Sequence, residues 1–198
     1  MSTQWRDSLR RQERGSGKYN GTDMKMTARD IARFGLMVAA ALVLSWVETL
    51  IPFVFPLPGM KIGLANIVIL TMLYAAGAKS AAAVSFLRLL LVLFTFGNAA
   101  SFLYSLAGAA LSFAVMLLLK KTGRFGVTGV SIAGAMAHNA GQIIVAALVL
   151  ETVTVVYYLP WLMIAGVVSG LVIGIAGGLL SPRLVRFFKV RDRGTEEA

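Results

Sequence analysis

Long apolar runs follow one another from Phe34 onward and are interrupted only at isolated points. A helix needs about 20 mostly apolar residues to cross a bilayer. The chain is 58% apolar and 14% charged, whereas a soluble domain is about 25% charged, so a soluble enzyme is not expected. The pattern predicts an all-α polytopic membrane protein, a bundle of six transmembrane helices. The predicted spans lie near residues 31–51, 60–76, 80–95, 100–119, 128–150 and 158–181.

Composition changes at both ends of this apolar region. Residues 1–27 are polar, rich in Arg, Ser and Gly, and show no apolar periodicity, which is typical of a flexible tail. We therefore predict a basic cytoplasmic tail over residues 1–27, a six-helix membrane domain over residues 28–185, and a charged cytoplasmic tail over residues 186–198.

The positive charges predict the orientation of the bundle. With the N-terminus inside the cell, 17 of the 19 Lys and Arg residues fall in the tails and in the cytoplasmic loops. Such a bias is the usual signature of cytoplasmic loops, so we expect a multi-pass protein of the cell membrane with both termini cytoplasmic. Attraction to the anionic lipid bilayer accounts for the net charge of +10. Nucleic acid is not an expected partner, because no binding motif accompanies the charge.

The two remaining cations are Lys61, where a proline-rich loop enters the second span, and Arg88, in the middle of the third. An ionisable side chain at mid-membrane is costly, so it is usually paired or faces a polar cavity. Glu48, near the outer end of the first span, is the candidate partner of Arg88. Two interpretations stay open: a structural Glu48–Arg88 pair, or a cationic group directed at an anionic or polar substrate.

The fifth span carries a polar face. His138 and Gln142 lie four residues apart, with Asn139 adjacent, so an imidazole and carboxamides can line a buried cavity. We predict a substrate site in the outer half of the bundle, closed by the loop Pro52–Lys61. The remaining candidate binding residues are Lys61, Asn66, Asn98, Tyr104 and Arg88. A metal site is not expected, because His138 is the one histidine and cysteine is absent.

Small residues recur every fourth position in three spans. The sixth span carries Gly166, Gly170, Gly174 and Gly178, and the fifth carries Gly129, Ala133, Ala137 and Gly141. Such stripes allow neighbouring helix backbones to approach closely. The same spacing occurs around the first span, where the face can pack within the chain or against a partner membrane protein. The residues of that face are Ala28, Ala32, Gly35 and Ala39.

No catalytic constellation is apparent. The chain has no nucleotide-binding glycine–lysine loop, so it is not expected to hydrolyse ATP itself. Its aspartates lie at positions 7, 23, 30 and 192, outside the predicted bundle, so paired carboxylates for Mg²⁺ are missing. We therefore expect a binding protein rather than an enzyme, and no cofactor.

Three segments resemble the Gx transporter family, which is also catalogued as heptaprenyl diphosphate synthase component I. They are Pro58–Asn66 (PGMKIGLAN), Phe102–Gly108 (FLYSLAG) and Val130–Gln142 (VSIAGAMAHNAGQ), within a likeness over residues 28–185. The family is similar to the substrate-binding S components of energy-coupling factor transporters. The resemblance implies a six-helix vitamin-binding fold that works with a coupling transmembrane subunit and two ATPase subunits. It also implies that the small-residue face of the first helix is the coupling surface.

The function expected from this resemblance is substrate binding in an energy-coupling factor uptake transporter for a small molecule such as a vitamin or cofactor precursor. The second family label implies an alternative, an accessory membrane component linked to prenyl diphosphate or quinone metabolism. The residues do not identify the ligand. A positive, amide-rich cavity suits a small anionic or hydrogen-bonding molecule.

Overall fold

The computed structural model describes residues 28–50 and 63–189, and these residues form helices and turns with no strand among them. The predicted all-α class is confirmed. A 3₁₀ segment, Val153–Tyr158, joins the last two of six α-helices within the described residues. The helices are α1 (Ala28–Leu50), α2 (Asn66–Ala75), α3 (Ala78–Thr95), α4 (Ala99–Thr122), α5 (Val127–Val149) and α6 (Leu159–Lys189). The predicted tail 1–27, the predicted loop Pro52–Lys61 and residues 190–198 of the predicted tail 186–198 lie outside the described residues.

Five of the described helical stretches are long and apolar enough to cross a membrane. They are α1, α3, α4, α5 and the stretch Val153–Phe188, which includes most of α6. By these criteria the chain is a multi-pass membrane protein. The predicted second span, 60–76, is described as helix only over Asn66–Ala75. Ten residues rise about 15 Å, half of the roughly 30 Å apolar core of a bilayer, so the count of six spans is not confirmed.

Capping residues explain where α4 begins and ends. The Asn98 side chain accepts a hydrogen bond from Ser101 N at 2.8 Å and so caps the start of α4. Gly123 ends α4 in the left-handed region at φ 65°, where a side chain would be strained.

The last helix is longer than predicted. We expected it to end at residue 181, before Pro182, yet α6 continues through this proline to Lys189. A proline removes one backbone hydrogen bond, and packing beyond it can outweigh that loss. The ring centroids of Phe34 and Phe188 are 6.1 Å apart, and the Arg33 guanidinium lies 5.0 Å from the Phe187 ring centroid. These contacts hold the final turns against α1.

Helix α5 lies at the centre of the packing. It packs against α4 on one side and α6 on the other, while α2 packs against α3 and α6, and α3 packs against α4. α1 is the least buried of the spanning helices. Backbone contacts divide the chain into units 1–32 and 33–198, and Ala28–Ala32 is the described part of the first.

The glycine ladder of α6 forms its contact with α5. A Cβ on Gly170 would lie 2.6 Å from Ile132 Cα, and one on Gly174 would lie 2.7 Å from Thr128 Cα. One on Gly166 would lie 3.3 Å from Met136 Cα. The predicted close approach is confirmed at these three positions. It does not extend to Gly178, where a Cβ would meet nothing within 4 Å.

Candidate functional site

Five polar side chains from three helices are buried in the bundle. We call them the buried polar cluster: Ser45 and Glu48 of α1, Arg88 of α3, and His138 and Gln142 of α5. Gln142 is fully buried and Arg88 is 6% exposed. Burying charges and amides is costly unless they find partners, so their partners determine what the cluster can do.

Arg88 connects α3 to α1. Its Nη1 donates a hydrogen bond to Ser45 Oγ at 3.3 Å, and Ser45 Oγ donates to the Ala41 carbonyl at 2.9 Å. Glu48 attracts the guanidinium electrostatically, as the sequence predicts. The Glu48 carboxylate also accepts a hydrogen bond from the backbone N–H of Gly63. A single acid therefore acts both on the buried cation and on the segment that leads into α2.

His138 and Gln142 lie where α5 crosses α4. A Cβ on Gly108 would come within 3.0 Å of both His138 Cε1 and Gln142 Cγ, so the absence of a side chain there lets the two helices meet. The imidazole of His138 hydrogen-bonds to the backbone of Gly108 and interacts electrostatically with Arg88. This electrostatic interaction connects His138 of α5 with Arg88 of α3.

Four buried atoms in the cluster have no hydrogen-bond partner within the part of the chain that the structure describes. They are Arg88 Nε, His138 Nδ1, and Nε2 and Oε1 of Gln142. An unsatisfied buried donor or acceptor costs about 1–3 kcal/mol, so several at one place are unusual in a folded protein. The arrangement leaves hydrogen-bonding capacity for a molecule that enters the cluster.

Asn139 and Tyr104 have other roles in the structure. Asn139 Nδ2 donates to the Leu162 carbonyl at 2.6 Å and so joins α5 to α6. Tyr104 packs in an apolar group with Ile143 and Leu162. Neither side chain is placed in the cluster by its contacts, although we predicted both for the site.

The three other predicted binding residues, Asn66, Asn98 and Lys61, do not lie together. Asn66 is half-buried, and its Nδ2 lies 2.7 Å from the place of a Cβ on Gly63, next to the N–H bound by Glu48. Asn98 is exposed and caps α4. It also borders a shallow groove whose lining contains no cluster residue. Lys61 lies outside the described residues.

The predicted coupling surface on α1 is solvent- or lipid-accessible in the structure. Ala28, Ala32, Gly35 and Ala39 are all exposed, and a Cβ on Gly35 would meet nothing within 4 Å. In the described part of the chain, no three side chains of His, Asp or Glu come together to hold a metal ion.

Three residues that belong to or contact the buried polar cluster were not predicted from the sequence. Ser45 is one hydroxyl in an apolar helix, and only its i, i−3 relation to Glu48 hints at a shared face. Gly63 and Gly108 contribute backbone groups, which leave no side-chain pattern to detect. Their signal is their position inside the motifs PGMKIGLAN and FLYSLAG.

Comparison with known proteins gives one family. The model for heptaprenyl diphosphate synthase component I matches residues 37–180, which include every residue of the buried polar cluster. No curated protein and no solved structure matches the chain. Because the match covers most of the sequence, the chain belongs to the heptaprenyl diphosphate synthase component I family.

Proposed function

We propose that this protein is the substrate-binding membrane component of an energy-coupling factor uptake transporter, and that it binds a small molecule at the buried polar cluster. The observation that carries the proposal is the set of four partnerless atoms on Arg88, His138 and Gln142. A purely structural cluster gains nothing from leaving these atoms unsatisfied. A ligand that supplies their hydrogen bonds recovers about 1 kcal/mol or more for each.

The need for partner subunits follows from the absence of an ATP-binding motif in this sequence. Without a nucleotide-binding loop, the chain needs ATPase subunits, and these need a coupling transmembrane subunit to act on it. The exposed small residues of α1 suit close backbone contact with such a subunit. Its docking face is Ala28, Ala32, Gly35 and Ala39.

The family description supports one alternative, an accessory membrane component linked to prenyl diphosphate or quinone metabolism. In that role too we propose binding rather than catalysis. Prenyl chain elongation uses Mg²⁺ held by carboxylates, and the aspartates at 7, 23, 30 and 192 form no such pair in the apolar segments. Purified protein incubated with Mg²⁺ and allylic and isopentenyl diphosphates should yield no longer prenyl product. Robust elongation by this chain alone would refute the binding-only role.

Native mass spectrometry of the detergent-purified protein tests the proposal directly. The wild type should carry a small molecule that dissociates at high collision energy. Gln142→Met, which keeps the size of the side chain and removes both amide atoms, should lose it. Thr71→Val is the matched control, because Thr71 is buried on α2 and, among the described residues, its hydroxyl donates only within its own helix, to the Ile67 and Val68 carbonyls. An empty wild type, or a ligand retained equally by all three proteins, would overturn the assignment of the site.

A further inference from the structure

The partnerless atoms carry a specific pattern of donors and acceptors. Both amide atoms of Gln142 lack a partner. Whichever way the amide is oriented, it offers one N–H donor beside one carbonyl acceptor. A molecule that satisfies Gln142 must therefore present an acceptor and a donor side by side.

Arg88 and His138 extend this pattern. Arg88 Nε carries a hydrogen and can only donate. The His138 imidazole already hydrogen-bonds to the backbone of Gly108, where the carbonyl is the group that accepts from a ring N–H. In a neutral imidazole the other nitrogen, Nδ1, is then an acceptor. A ligand that pairs with these atoms must therefore supply one more acceptor for Arg88 Nε and one more donor for His138 Nδ1.

The charges of the cluster balance. Arg88 contributes one positive charge and Glu48 one negative charge, and the guanidinium is attracted to that carboxylate. A ligand with two or more negative charges would face a site without net positive charge among its described residues. Because Arg88 and Glu48 offset each other, the described residues of the cluster give such a ligand little net attraction.

From this pattern we infer that the cluster recognises a neutral group in which an N–H lies next to a carbonyl, as in a lactam, a cyclic urea or a pyrimidinone ring. The inference rests on the proposed function and names the substrate class of the same site. The carbonyl accepts from Gln142 Nε2 or Arg88 Nε, and the N–H donates to Gln142 Oε1 or His138 Nδ1.

Phosphate, diphosphate and carboxylate groups fit the pattern less well. When ionised they offer only acceptors. They would satisfy Arg88 Nε and Gln142 Nε2, but Gln142 Oε1 and neutral His138 Nδ1 would then face oxygen atoms without a hydrogen between them. The same comparison separates the proposed substrate class from a prenyl diphosphate.

The test uses three probes on the full chain in detergent: 2-imidazolidinone, uracil and inorganic pyrophosphate. Saturation-transfer NMR measures binding of each probe in the millimolar range, where small fragments are expected to bind. The cyclic urea and uracil should bind, and pyrophosphate should not. Gln142→Met should weaken binding of both rings about tenfold or more, because two hydrogen bonds are lost. Thr71→Val should leave their affinity unchanged.

A second variant keeps the test decisive if Gln142→Met does not fold. Arg88→Lys keeps a charge near Glu48 and removes the Nε donor, so it should weaken binding of both rings several-fold while the protein elutes as the wild type does. Binding of pyrophosphate, or ring binding that is indifferent to both variants, would overturn the inferred substrate class.

The two proposals can fail separately. If the rings do not bind but native mass spectrometry still shows a co-purified molecule that Gln142→Met loses, the class is wrong and the binding function stands. If the rings do not bind and the purified wild type is empty, both are wrong.

Discussion

Arg88 and Ser45 are joined by a hydrogen bond from Nη1 to Oγ at 3.3 Å, deep in the protein and across forty-three residues of sequence. It is a polar tie between α3 and α1, the spanning helix that is least buried. Since Glu48 lies one turn further along α1 and attracts the same guanidinium, Arg88 holds a face of α1 against the bundle. The residue thus has a structural role in addition to its unpartnered Nε.

The first prediction concerns this tie. Arg88→Ala removes a buried cation that attracts Glu48 and donates to Ser45 Oγ, so it should destabilise the protein by about 3 kcal/mol. Ser45→Ala removes the bond from Arg88 Nη1 and the bond to the Ala41 carbonyl, and it should cost about 1–2 kcal/mol. Thermal unfolding in detergent measures both. Equal, small losses for the two variants would show that Glu48 does not depend on Arg88.

The second prediction compares two glycines of the same ladder. In Gly170→Ala the new methyl group would lie 2.6 Å from Ile132 Cα, a backbone atom that cannot move alone, so α5 and α6 must separate. We expect a loss of about 1–3 kcal/mol, typical of overpacking. Gly178→Ala meets nothing within 4 Å and should be neutral or slightly stabilising, because Ala favours helix. Similar melting temperatures for the two variants would contradict the α5–α6 contact.

The helices were largely predictable because one physical signal, apolar length, determines them. The predicted spans 80–95, 100–119 and 128–150 correspond closely to α3, α4 and α5. Polar and glycine-containing breaks mark their ends. The signal fails where packing overrides it, as in the continuation of α6 through Pro182.

The site was predictable only in part. His138 and Gln142 could be paired from their i, i+4 spacing, and Arg88 could be singled out as a charge within a span. Asn139 could not be assigned, because adjacent residues on a helix point about 100° apart and only the tertiary arrangement shows which neighbour each faces. Here His138 faces Gly108 of α4, whereas Asn139 faces Leu162 of α6.

A third prediction concerns the two lysines at the end of α4. Lys120 Nζ donates to the Leu73 carbonyl in the last turns of α2 at 2.6 Å and lies 4.8 Å from the Tyr74 ring centroid. A cation at this end also stabilises the helix dipole. Lys120→Met should therefore cost about 1–2 kcal/mol. Lys121 is exposed, so Lys121→Met is the matched control and should cost almost nothing. Equal melting temperatures of the two variants would rule out the anchoring role.

The fourth prediction concerns orientation, which rests on the distribution of positive charge. The chain contains no cysteine, so a single introduced thiol reports its own side of the membrane. Lys121 and Thr154 are both exposed and lie just beyond opposite ends of α5, Lys121 in the last turn of α4 and Thr154 in the 3₁₀ segment. In intact cells, Thr154→Cys should react with a membrane-impermeant maleimide and Lys121→Cys should react only after lysis. Labelling of Lys121→Cys from outside would invert the predicted topology.

The last prediction separates binding from stability at two amides on α5. Asn139→Ala breaks the buried hydrogen bond from α5 to the Leu162 carbonyl of α6, so it should destabilise the protein by about 1 kcal/mol. It should leave the affinity for ligand nearly unchanged, because the amide faces α6. Gln142→Met should do the reverse. It keeps the size of the side chain, and the amide of Gln142 makes no hydrogen bond to lose, so stability should change less, while ligand affinity should fall about tenfold or more. Melting temperature and ligand retention are measured on the same preparations. If Asn139→Ala weakened binding as much as Gln142→Met did, the site would extend to the α5–α6 contact and the assignment of Asn139 to a structural role would be wrong.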